Sequence, residues 1–360
     1  MGADAVASFS FLTGAEFIPG LDLSERFFRE AIKPVLDRHW PGTTYSAALI
    51  GDGSEVLGFD TPMSSDHDWG PRAQIFLSTG ADHERLAADM AATLAQHLPR
   101  EFLGYPTRAA GEHRVEILTP AMFFMEHLGF DIERRIEPAD WLTFPQQKLA
   151  TATAGRVFQD DGGLLQAVRE RFLYYPHDVW LYLLAAGWKR IEQEEHLMGR
   201  AGYVGDEIGS ALIAARLVRD LMRLCFLMER RYAPYPKWFG TAFARLAAAA
   251  DLQPHLRRTL AAGDWQEREQ HLCAAYTVVA ARHNALGITE ALPAETKTFH
   301  DRPFKVISMG EFSEAIKRQI KDETVKAIAA RRLYGGIDQL SDSTDIVEGS
   351  GVRTTLRELY

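Results

Sequence analysis

The stretch GDGSEVLGFDTPMSSDHDWGPR, residues 51–72, decides how the first half of the chain is read. It opens on Gly51-Asp52-Gly53-Ser54 and closes on Asp66-His67-Asp68, followed by Trp69-Gly70-Pro71-Arg72. Just before it stands TYSAALIG, an apolar run ending in glycine, which predicts a buried strand. The glycines then fall where the backbone leaves a sheet, a position at which exposed N–H groups hold phosphate oxygens; the Ser54 hydroxyl adds a donor. If the later segment is extended, Asp66 and Asp68 project from one face with α-carbons about 6–7 Å apart. Two carboxylates so placed suit a hard, oxygen-ligated cation such as Mg2+. A pair of such ions about 4 Å apart clamps both the attacking and the leaving oxygen of an in-line displacement at phosphorus.

Three more segments outside the stretch read as strands: AQIFLS (residues 73–78), HRVEILT (residues 113–119) and GRVFQD (residues 155–160). Glu116 is the lone acid between Val115 and Ile117, costly to bury unpaired, and it is a candidate either to complete a metal shell or to act as general base toward a hydroxyl. Two helices interleave with these strands. DLSERFFREAIKPVLDRHW carries Phe27, Phe28, Ala31, Ile32, Val35 and Leu36 on one face, with Asp22 and Glu25 placed as a capping pair, and DHERLAADMAATLAQHL is the second. The first part of the chain, residues 1–162, is therefore expected to be α+β.

From residue 163 to about 290 the pattern is helical throughout, in segments parted by MGRAGYVGDE and YAPYPKW, which predicts a bundle. Residues 291–360 change again: RPFKVIS reads as a strand, EFSEAIKRQIKDETVKAIAARRL as one helix and GGIDQLSDSTD as an acidic loop. This last segment is expected to pack back on the catalytic part.

Composition limits the partners. The 360 residues carry 40 basic and 49 acidic side chains, a net charge of −9, which disfavours a polynucleotide unless the basic groups cluster. Arg and Asp interrupt every long apolar run, so no membrane span is expected, and the N-terminus lacks a signal-peptide pattern. Two cysteines are too few for a disulfide framework or a zinc site, which fits a reducing cytoplasm.

Several weaker signals have two readings. Arg216, Arg219, Arg223 and Arg230 recur at helical spacing, either as a solvated face, the favoured reading, or lining a triphosphate cleft. Lys237 and Trp238 follow a proline-rich turn, where a lysine can reach phosphate and an indole can stack on a base, or where both simply pack. Glu192 and His196, four apart, are favoured as surface helix residues over metal ligands. Asp338, Asp342 and Asp345 can meet a cationic acceptor or cap helices.

Taken in order, Gly53-Ser54, eleven residues, Asp66-His67-Asp68 and a carboxylate on a later strand resemble the nucleotidyltransferase superfamily that includes DNA polymerase beta and the kanamycin and lincosamide nucleotidyltransferases. GRVFQDDGG is similar to the strand and turn that close its catalytic domain. The helical and C-terminal parts are similar to a branch of that superfamily known only as a domain of unknown function.

The resemblance implies a small mixed-sheet catalytic domain followed by an α-helical bundle. Gly53 and Ser54 would hold the β- and γ-phosphates of a nucleoside triphosphate; from their own positions, beside Pro71 and after the proline-rich turn, Arg72 and Lys237 are expected as further phosphate contacts. Asp66 and Asp68 would bind two Mg2+ ions, with Glu116 as third ligand or base. The implied reaction moves AMP from ATP to a hydroxyl of a small-molecule acceptor and releases pyrophosphate, with the acceptor in a cleft between the α/β part and the bundle. Transfer to tRNA or protein, and a nucleotide-binding protein without catalysis, are the alternatives. One departure stands out: Trp69-Gly70-Pro71-Arg72 follows the second aspartate where the superfamily continues a strand, and Pro71 cannot donate to a central ladder.

Overall fold

The four apolar runs around the glycine stretch pair into one mixed sheet: β1 (Ser46–Leu49), β2 (Ala73–Phe76), β3 (Val115–Leu118) and β4 (Arg156–Asp160), in the order β3-β2-β1-β4. The computed structural model describes residues 17–66, 69–80 and 82–360. These fall into two units, one holding the chain up to Arg134 with Lys148–Leu173, the other Arg135–Gln147 with Tyr174–Tyr360. The fold class is α+β, as the sequence implies.

In the first unit β1 runs antiparallel to β2 and β4, while β2 runs parallel to β3. Side chains alternate across a strand, so Ala47, Leu49, Ala73, Ile75 and Val115 share one face, and they pack with Phe27, Phe28, Ile32, Met90 and Leu94 into a single core. One residue along, Ala48, Gln74 and Glu116 lie in register as a row on the opposite face. A short apolar strand therefore has room for polar residues only on that second face, which is where both appear.

The first helical segment begins differently from its sequence expectation. The helix Gly20–Phe27 starts at Gly20, whose N–H donates to Asp60 Oδ2 at 2.7 Å, and Asp22 and Glu25 instead accept from Arg156 Nη1 at 2.8 Å each. Its continuation loosens to a π turn over Phe28–Ile32 before Lys33–His39, beside Pro34, which has no N–H to give. The helix Pro120–Leu128 carries full boundary chemistry: Thr119 Oγ1 accepts from the Met122 N–H at 3.2 Å, proline takes the first position, and Gly129 ends it in the left-handed region.

The second unit is a bundle around the helices His177–Glu194, Glu207–Met228, Ala249–Ala261 and Trp265–Ala285. Trp180, Tyr182, Trp188, Leu217, Leu221 and Tyr276 are buried in it, and Trp188 stacks on Phe312 at 4.1 Å. Among the described residues, no helix is long and apolar enough to cross a membrane.

The C-terminal expectations are corrected in three places. Where one helix is expected over residues 311–333, two form, Glu311–Lys317 and Glu323–Arg331. The carboxylate of Asp178 takes the N–H of Lys321 at 2.7 Å and that of Asp322, and Asp322 then caps the second helix through the N–H groups of Thr324 and Val325. The expected acidic loop holds two short helices, Ile337–Leu340 and Thr344–Glu348. RPFKVIS contributes only Lys305–Val306, paired with Lys297–Thr298. Near the chain end, buried Asp140 accepts from Arg353 at 3.0 Å and Arg357 at 3.1 Å, and the Tyr360 hydroxyl donates to the Gly335 carbonyl at 2.7 Å.

Candidate functional site

β1 delivers the chain into the glycine turn with little freedom. The N–H of Ile50 donates to Gln74 Oε1 at 3.0 Å, and that of Gly51 to the Thr151 carbonyl at 2.9 Å. Gly51 and Gly53 have φ of +87° and +141°, conformations that side chains rarely adopt. At Gly53 a Cβ would also meet the guanidinium of Arg72 and stand 2.7 Å from Glu55 Oε2. The turn thus has glycine because its inner side is occupied. Among the described residues, the N–H groups of Gly53 and Ser54 and the Ser54 hydroxyl donate to no protein acceptor.

Arg72 plays a different part from the expected phosphate contact. Its Nε and Nη2 donate to Glu55 Oε1 at 2.9 and 2.7 Å, and Nη2 also reaches the Asp52 carbonyl. Glu55 is only 2% exposed and the Arg72 side chain 21%, so this half-buried ion pair holds the turn from its inner side. Pro71 itself costs the sheet nothing: β2 begins at Ala73, after Pro71, so no ladder bond is asked of the imide nitrogen. Buried Trp69 packs here against Tyr105 at 5.1 Å and donates through Nε1 to Asp60 at 3.1 Å.

Gln74 ties the turn to the predicted strand acid. Its Oε1 anchors Ile50, and its Nε2 donates to Glu116 Oε2 at 3.2 Å. Glu116 is exposed and keeps Oε1 available. A cation stands on the other side of the turn: Lys148 Nζ lies 3.2 and 3.3 Å from the two carboxylate oxygens of Asp52. The Lys148 side chain is 13% exposed and that of Asp52 72%. Beneath Lys148, His127 Nε2 lies 3.0 Å from both the Lys148 carbonyl and Thr151 Oγ1, and the ring stacks on Phe123 at 5.1 Å. Since a carbonyl only accepts, the proton sits on Nε2. Burial, aided by the Lys148 charge, pulls His127 down to about 4, so it stays neutral.

Sequence reasoning missed Gln74, Lys148 and His127. The alternation in AQIF gives a local signal for Gln74, a lone polar residue on an apolar strand. Lys148 has none, because only the fold brings it 96 positions back to Asp52.

Of the other predicted site residues, Asp66 ends a 3-10 turn, Pro62–Asp66, rather than an extended strand, and its side chain and Asp68 lie outside the described residues. Among the described side chains, no group of three or more His, Cys, Asp or Glu could hold a metal ion. Glu116 alone is not a magnesium site. Lys237 lies in the second unit, on the helix Pro236–Phe243, exposed and 5.5 Å from the Trp238 ring.

Arg216, Arg219 and Arg223 on the helix Glu207–Met228, and Arg230 in the turn after it, all have structural partners within the second unit. Arg216 pairs with Glu194, Arg219 with Asp342, Arg223 donates to the Asp338 carbonyl, and Arg230 lies 4.0 Å over the Trp180 ring. Asp338 and Asp342 are thereby pinned, Asp338 also accepting the Gln146 N–H at 2.9 Å. Glu192 accepts from Lys189 at 2.8 Å and His196 stacks on Phe299 at 4.3 Å, so neither is a ligand pair nor a bare surface.

The turn makes a direct test possible. Gly53→Ala should destabilise the protein by about 1–3 kcal/mol, since the added methyl needs a strained φ and displaces the Arg72–Glu55 pair. A urea midpoint within error of wild type would contradict the geometry of the turn.

Residues 141–239 match the model of a family described as Domain of unknown function (DUF4037). A crystal structure of a nucleotidyltransferase-like protein from Exiguobacterium sibiricum is similar over 76% of this chain and 83% of that chain, with 10% identity and a TM-score of 0.33. No curated protein matches the chain.

Proposed function

We propose that the chain is a Mg2+-dependent nucleotidyltransferase that moves AMP from ATP to a hydroxyl of a small-molecule acceptor and releases pyrophosphate. The observation that carries this reading is the glycine turn at the end of β1. Its N–H groups at Gly53 and Ser54, without a protein acceptor among the described residues, stand beside a half-buried ion pair on one side and, through Gln74, an exposed carboxylate on the neighbouring strands. Donors preformed in this way hold phosphate oxygens without reorganisation.

Each residue has a task in this reading. Gly53 and Ser54 grip the terminal phosphates, and Arg72, acting through Glu55 and the Asp52 carbonyl, keeps the turn in shape and is a positioning residue. Lys148, now on Asp52, is close enough to the turn to turn toward a bound phosphate. Glu116 accepts the proton of the acceptor hydroxyl, or is a third metal ligand, and Gln74 fixes its orientation. Asp66 and Asp68 are the proposed Mg2+ ligands; the ions supply charge neutralisation of the triphosphate. Lys237 stays a proposed phosphate contact.

The test is pyrophosphate release with Mg-ATP over a panel of hydroxyl acceptors, beside calorimetric binding of a non-hydrolysable ATP analogue. Asp66→Asn with Asp68→Asn, and separately Glu116→Gln, should each lower release on the order of 100-fold. Full activity in the double variant would remove the metal assignment, and no binding by wild type would remove the whole reading.

A further inference from the structure

Two histidines of the first unit meet where two helices end. His39 closes the helix Lys33–His39 and His97 closes the helix His83–His97. Their rings stand 4.9 Å apart, centre to centre, with the planes tilted by 58°. Both residues are exposed, so the pair is open to a solute. Both also lie at the carbonyl ends of their helices, where the backbone dipoles favour a positive charge.

The state of each ring suits a metal ligand. His97 Nδ1 lies 2.9 Å from the Thr93 carbonyl. A carbonyl only accepts, so the proton sits on Nδ1 and Nε2 keeps its lone pair, the arrangement in which metal-binding histidines are held. His39 makes no hydrogen bond among the described residues, so a lone pair is available there too. The spacing agrees. A metal–nitrogen bond of about 2.1 Å, with the ring centre roughly 1.1 Å behind the nitrogen, sets two coordinated rings about 4.5 Å apart at a right angle and about 5.2 Å apart at the tetrahedral angle. The observed separation falls between the two.

The donors select the ion. Asp37, the carboxylate in the same turn as His39, is taken by Lys33 at 2.9 Å. What remains is a pair of imidazoles, short of the three or more side-chain ligands of a closed site. Two nitrogens completed by water suit Cu2+, Ni2+ or Zn2+, whereas Mg2+ and Ca2+ ask for oxygen.

We infer that His39 and His97 bind one divalent transition-metal ion between them, Cu2+ the tightest, and that the ion ties the two helix ends together. The pair shares no residue with the glycine turn, and the inference does not rest on the proposed reaction.

Calorimetric titration of the full chain with Cu2+ should show this site, and excess Mg2+ should not displace the ion. His39→Gln and His97→Gln should each weaken binding on the order of 100-fold, the advantage of two linked ligands over one. His83→Gln should leave it unchanged: His83 Nδ1 also faces a carbonyl, that of Gly80 at 3.3 Å, but no second ring stands beside it among the described residues. His39 and His97 are exposed, so circular dichroism melts without metal should match wild type. The electron paramagnetic resonance spectrum should carry nitrogen couplings from two imidazoles. No binding at about 100 µM Cu2+, one coupled imidazole in place of two, or an affinity indifferent to the His39 and His97 substitutions would overturn the inference.

Discussion

Glu195→Ala should cost the second unit about 3–5 kcal/mol, roughly a hundredfold to a few thousandfold in its folding equilibrium. Glu195 is 3% exposed and its two oxygens accept three successive N–H groups, those of Ile307 at 2.7 Å, Ser308 at 3.2 Å and Met309 at 3.0 Å. It follows the C-terminal end of the helix His177–Glu194, where the helix dipole disfavours a negative charge, so the loop donors are what make the carboxylate tolerable there. Met309 has φ +46°, a left-handed conformation unusual for a side chain, and Gly310 follows at +92°. The carboxylate thus holds a bend that the chain would not choose. Alanine leaves three buried donors unmet, whereas Glu195→Gln keeps one acceptor but turns an NH2 toward one of them. An intermediate loss of about 1–2 kcal/mol is expected for glutamine. Urea unfolding followed by tryptophan fluorescence reads both, and a loss below 1 kcal/mol for alanine would refute the role.

Acid should weaken the fold well above the carboxylate range. His127 in the first unit and His283 in the second are each held down to about 4 against an ordinary 6.5, both mainly by burial. At His283 the Trp188 Nε1–H donates to Nδ1 at 3.3 Å, which leaves the proton on Nε2 facing Thr289 Oγ1 at 3.1 Å. Protonating Nδ1 would break the tryptophan bond. Above pH 6.5 both states are neutral and the stability is complete. As pH falls from 6.5 toward 4, the unfolded chain takes protons that the folded chain refuses, so stability is lost. Each histidine withdraws about 2 kcal/mol from its unit between pH 6.5 and 5. Burial raises Glu195, Glu269 and Asp338, and these act with the opposite sign at lower pH, so the slope is steepest in that first interval. Urea midpoints at pH 7.5 and 5.0 measure the loss. His283→Gln should reduce it, and equal midpoints for wild type would disprove the assignment.

The strands of the sheet could be read in advance because each is a short apolar run with a turn residue after it, and the free donors of the glycine turn follow from the same pattern. What could not be read was supplied across long distances. Arg72 looked like a phosphate contact because nothing local announces that Glu55, seventeen positions earlier, would be buried against it. Lys148 reaches Asp52 only through the packing of a later helix. The helix expected over residues 311–333 breaks because of a carboxylate at Asp178, 144 positions before Asp322. Periodicity reports the face a segment buries; it is silent on the single polar partner that stops it. Asp66 and Asp68 remain where the sequence reading left them, as proposed ligands.

The clasp between Asp140 and Arg353 has a consequence for how the protein is made. The two residues are 213 positions apart, and the second unit takes Arg135–Gln147 from the early part of the chain and Tyr174–Tyr360 from the rest. On the ribosome, residues 135–147 emerge long before their arginine partners do. The nascent second unit must therefore carry an uncompensated acid until Arg353 and Arg357 have left the exit tunnel. This step of its assembly waits on residues 353–357 rather than following the order in which the earlier helices appear.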